Sequence, residues 1–142
     1  MHAAALLLMG LASAGAVTPR EAAPRHTYSL IAATWPSDVV EPPCDPGTFC
    51  DVFVTNVRFA GVETLAGPKV PQSLILFLGW HGMLPPGQHF LAAAWREKGR
   101  WRAQWAGDFD PHNCVSADTL SFYRIPVPLG AVTKEDRVCF RQ

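Results

Sequence analysis

The sequence predicts a mainly β protein: a small five- to six-stranded barrel or sandwich with two disulfides, preceded by a signal peptide. Three observations lead there. Prolines and glycines, 13 and 11 in 142 residues, interrupt the chain too often for long helices and suit short strands joined by turns. The stretches between these breakers alternate, or run apolar, over strand lengths. An apolar N-terminal segment precedes a mature part that holds all 4 cysteines.

Length and composition set limits on function. A chain of 142 residues with 49% apolar content carries one core and has little room for two. Lys plus Arg and Asp plus Glu balance at 12 each, so no basic excess is present to neutralise phosphates, and a nucleic-acid partner is not expected. Local charged patches remain open.

Ala3 to Val17, AAALLLMGLASAGAV, has the length of a signal-peptide core. It falls short of the ~20 residues that a membrane span needs. Small residues at Ala12-Ser13-Ala14 and Ala14-Gly15-Ala16 offer cleavage sites, although only His2 precedes the apolar run. The expected division is a signal peptide over 1–16, a flexible leader over 17–26 and a single β domain over 27–142. The protein is then periplasmic or secreted, with no membrane span.

Export explains the cysteines. An even count in an oxidising compartment reads as disulfides. Asp45-Pro46-Gly47 supplies a turn that favours Cys44–Cys50, which leaves Cys114–Cys139. Structural zinc needs close-set cysteine pairs, and this spacing does not provide them.

The mature chain reads as strands in order. Thr27 to Trp35 is apolar and bounded by Pro36. Asp51 to Val62 is one long strand, with Phe53, Thr55, Val57 and Phe59 on one face and Val54, Asn56 and Arg58 towards solvent. Glu63 to Val70 is turn-like. Ser73 to Trp80 is apolar on both faces and too short for a helix, so it is expected mid-sheet, covered on both sides. Leu120 to Val127 is expected to be a strand ending at Pro126. Thr133 is expected to cap a helical turn through Asp136 before Arg137 to Phe140 returns to the sheet.

The centre of this reading is a hairpin over Gln88 to Ala106 with a three-residue Glu97-Lys98-Gly99 loop. That register faces Trp95 with Trp101, Ala93 with Ala103 and Leu91 with Trp105 on one apolar face. Ala92, Ala94, Arg96, Arg100, Arg102 and Gln104 fall on the other.

Cys50-Asp51-Val52-Phe53-Val54 with Val57, and Leu76-Phe77-Leu78-Gly79-Trp80-His81-Gly82, resemble motifs of small exported OB-fold domains of the netrin-like and metalloprotease-inhibitor kind. The resemblance covers Cys50 to Trp105 and implies an OB-like barrel. The inhibitors' N-terminal Cys-x-Cys is absent, so their activity does not transfer.

No catalytic constellation stands out. The serines lie in no nucleophile motif, and the carboxylates are scattered. A calcium loop counted from Asp108 has Thr119 where Glu is needed. No cofactor is expected. The reading is therefore an exported, non-catalytic binding or interaction module, with an inhibitor-like role among those it allows. Its partner is another protein or an envelope component. The binding residues are Arg96, Arg100 and Arg102, with His81 and His89 and the loops Val39–Thr48 and His81–Gln88. The alternative is a small metal-binding protein or hydrolase using His81, His89 or His112.

Overall fold

In the computed structural model the described residues are 25–39, 53–80, 85–105 and 112–140. The expected signal peptide, Cys44, Cys50 and His81 lie outside them. Among the described residues nine strands and one short helix follow in chain order. They are β1 (Ser29–Thr34), β2 (Phe53–Phe59), β3 (Glu63–Ala66), β4 (Leu74–Trp80), β5 (His89–Glu97), β6 (Arg100–Trp105), β7 (Cys114–Ser116), α1 (Ala117–Phe122), β8 (Val132–Lys134) and β9 (Arg137–Cys139).

Six strands form one sheet in the order β2-β4-β6-β5-β1-β3, and β7-β9-β8 form a second. The large sheet is antiparallel except at β4 and β6, which run parallel. Its two edges, β2 and β3, are separated in sequence only by residues 60–62. Four Cα steps reach at most about 15 Å. Six flat strands would hold their edges about 24 Å apart. The sheet must therefore curl. Trp35, just past β1, accordingly touches Phe59 of β2 with ring centroids 5.9 Å apart, although three strands lie between β1 and β2 in the sheet.

Two cores use opposite faces of this sheet. The inner one gathers Ile31, Trp35, Val57, Phe59, Leu76, Leu78, Phe90, Ala92, Ala94 and Ala103. The outer one joins Leu30, Ala32, Leu91 and Ala93 to Val115, Leu120, Tyr123, Ile125 and Val138 of the C-terminal unit. That unit is stapled by Cys114–Cys139, which face each other across β7 and β9, as the sequence predicts.

The structure corrects several local expectations. The hairpin loop has two residues, not three: Glu97 pairs with Arg100, Arg96 with Trp101, and Trp95 with Arg102. Lys98 and Gly99 both take positive φ, 47° and 78°, as a type I′ turn requires. Trp95 and Trp101 therefore stand on opposite sides of the sheet. The three-residue register was chosen to give the hairpin one apolar face. With β5 buried on both sides from Phe90 to Ala94, that criterion has no force, and turn chemistry decides.

Glu63–Ala66 is a strand, not a turn, because the chain bends at residues 60–62 and pairs with β1. The segment after Ser116 is helical, not extended. Ser116 Oγ accepts from the Thr119 N–H at 3.3 Å, and Leu120 and Tyr123, three apart, turn inward together. Thr133 lies in β8, and Glu135, at φ 56°, turns a hairpin into β9 where a helical turn was expected.

Candidate binding face

The C-terminal unit covers only part of the outer face. Its contacts fall on β1, β3 and β5, while β2, β4 and β6 form the other half of the sheet. The alternation of β2 is as the sequence predicts: Val57 and Phe59 are buried, and Asn56 and Arg58 are exposed. Register carries that solvent-facing row onward. Asn56 pairs with Phe77, Phe77 with Arg102, and Arg102 with Trp95. One step along the strands, Arg58 pairs with Ile75, and Arg100 pairs with Glu97.

The result is a small grid. Its middle column is apolar, with Ile75 46% exposed and Phe77 half-buried. Arg58 lies on one side, and Arg100 and Arg102 on the other. The Arg102 guanidinium carbon sits 4.9 Å from the centroid of the Phe77 ring, a cation–π contact. Its Nε donates to Glu97 Oε2 at 2.9 Å. This pair is 40% and 30% exposed, so its Coulomb energy is well screened and contributes at most about 1 kcal/mol.

Beyond Trp95 the face closes. His26 stacks on Trp95 with centroids 5.7 Å apart and approaches Glu97 Oε1 at 3.5 Å. Tyr28 packs edge-on against Trp95 at 5.4 Å and meets Tyr123 at 4.9 Å. Burial raises the Tyr28 phenol above its ordinary pKa, with the Glu97 charge adding to the shift. Burial also raises Tyr123, with Tyr28 adding to it.

The expected site residues do not form one set. Arg100 and Arg102 share the outer face, but Arg96 projects on the side of Trp101, because the two-residue turn shifts the register. His89, the first residue of β5, is half-buried, and its Nε2–H donates to Asn113 Oδ1 at 2.6 Å. It thereby ties the large sheet to the C-terminal unit. His112 is exposed, and His81 lies outside the described residues, as does most of Val39–Thr48. Among the described residues no three His, Cys, Asp or Glu side chains group closely enough to hold a metal ion.

Ile75, Phe77, Asn56 and Arg58 were not singled out from sequence as site residues. The signal was present. If Asn56 and Arg58 face water, then the residues beside them on the next strand face water too. A strand apolar on both faces predicts cover for Ile75 and Phe77; instead Ile75 is exposed and Phe77 half-buried.

The face offers guanidinium groups, the amides of Asn56 and Gln104, and apolar surface. Among the described residues it holds no nucleophile next to a base. Comparison with known protein families, with curated proteins and with solved structures finds no match for this chain.

Proposed function

We propose that this protein is an exported, non-catalytic binding module that engages another protein or an envelope component through the outer face of β2, β4 and β6. The observation that carries this reading is the half-covered sheet. One half of its outer face is sealed by the C-terminal unit, while Ile75 and Phe77 stand together on the other half. An exposed Ile75 beside a half-buried Phe77, rimmed by cations, supports a docking surface. Phe122, Val127, Leu129 and Val132 are also exposed, but they sit on a helix, a coil and a separate strand, with no register joining them.

Export is supported by the apolar Ala3–Val17 segment and by the Cys114–Cys139 bridge, since disulfides persist in oxidising compartments. An OB-like barrel is supported by connectivity. With β2 and β3 counted as one bent strand, five strands follow one another in a circle, and the third and fifth, β4 and β6, are its parallel pair. The fold class does not by itself name a ligand.

Cross-linking in the native envelope fraction tests the reading. The full chain is expected to capture a defined partner that Phe77→Ser and Ile75→Ser both lose while each still unfolds in one cooperative transition. Undiminished capture by both variants would place the binding surface elsewhere.

A further inference from the structure

The charges on this face are not those of the whole molecule. The chain is formally neutral, with 12 cations and 12 anions. Among the described residues on the outer side of β2, β4 and β6, Arg58, Arg100 and Arg102 stand with one carboxylate, Glu97, at the border of β6 with β5. Glu97 engages Arg102 and approaches His26. Arg58 and Arg100 are exposed and make no ion pair among the described residues.

Resting on the reading of this face as the docking surface, we propose that its occupant is an acidic segment of a partner protein, seated with an apolar side chain on Ile75 and Phe77 and carboxylates on Arg58, Arg100 and Arg102. Strand spacing sets the scale. The cations on β2 and β6 flank the apolar column at about 5 Å on either side. A central hydrophobic residue with acidic neighbours matches that arrangement. Guanidinium groups bind carboxylates through paired hydrogen bonds, which favours acidic side chains as their partners.

Other anionic ligands fit less well. A nucleic-acid strand needs a longer cationic track and stacking surfaces along it, and Ile75 offers no ring. A sugar chain needs a denser set of hydrogen-bonding side chains than Asn56 and Gln104 provide. An anionic membrane would use the same cations without requiring an apolar side chain of defined spacing.

Glu97 has a specific part. Its charge lies 2.9 Å from Arg102 Nε in the free protein, so a carboxylate of the partner binds Arg102 beside a like charge. Removing its charge should therefore strengthen binding, a gain that misfolding cannot imitate.

The test uses the full mature chain with fluorescent twelve-residue peptides that place Leu or Phe between Asp and Glu. Their Asn/Gln counterparts, a single-stranded oligonucleotide, heparin and phosphatidylglycerol vesicles serve as competing probes. The acidic peptide is expected to bind, with backbone amide shifts confined to β2, β4 and β6. Arg58→Ala and Arg102→Ala should each weaken it tenfold or more, and Glu97→Gln should tighten it severalfold. Preference for the oligonucleotide, heparin or vesicles, or weaker binding by Glu97→Gln, would overturn the proposal. If no acidic peptide binds while Phe77→Ser still abolishes capture of the native partner, the occupant is wrong and the face stands. If Phe77→Ser and Ile75→Ser leave that capture intact, the face itself fails, and the occupant falls with it.

Discussion

Tyr28 and Tyr123 are the only 2 tyrosines in the chain, and their rings meet 4.9 Å apart beneath the C-terminal unit. Both phenols are raised above their ordinary pKa, chiefly by burial. The folded chain thus holds these protons more tightly than the unfolded chain does. The stability this contributes is complete below pH ~10 and is lost as pH rises through the raised native values. Ultraviolet titration of tyrosinate is therefore expected to show a midpoint higher in the native protein than in urea. Coincident midpoints would contradict the burial described. Legibility at this scale was mixed. Asn56 and Arg58 declared their solvent face through alternation, and Cys139 its partner as what remains once the Asp45-Pro46-Gly47 turn is given to Cys44 and Cys50. Tyr28 gave no such sign, because its partners Trp95 and Tyr123 are distant in sequence and come together only when β1 pairs with β5 and the C-terminal unit packs on them.

At the scale of elements, local chemistry overruled pattern where the two conflicted. The tryptophan hairpin was recognisable, but its register was not, because the apolar-face argument assumes that one side meets water. Here β5 lies between two cores, and Ala92, Ala93 and Ala94 are all fully buried. Lys98-Gly99 then sets the turn, and Arg96 parts from Arg100 and Arg102. The short helix was missed for a related reason: Leu120 and Tyr123 fit a helix spacing, but the run to Val127 also fits a strand. Around it the disulfide does measurable work. Cys114 and Cys139 are 25 residues apart and close β7 onto β9. Replacing both with Ser is expected to cost about 3 kcal/mol by loop-closure entropy. Urea denaturation of the double variant measures this. A loss under about 0.5 kcal/mol would mean the C-terminal unit is held by packing alone.

For the whole molecule, the distribution of cover among the described residues explains why one half-face is available. A curled sheet buries its inner face by itself, through Phe59, Leu76 and Phe90. Its outer face needs a second layer, and the chain after β6 supplies it over β1, β3 and β5. The mainly β class and the strand status of β4 followed from breakers and apolar runs. Which half of the outer face stays open did not, because that depends on where the C-terminal unit packs, a tertiary fact with no local signature. The account therefore stands on register and cover together, and one comparison examines both. Partner capture is measured for Arg96→Glu and Arg102→Glu, two charge reversals six residues apart on the same hairpin. The account predicts that Arg102→Glu loses the partner and Arg96→Glu keeps it, because only Arg102 faces outward beside Phe77. Equal loss in both would contradict it, since the two arginines would then act on one surface.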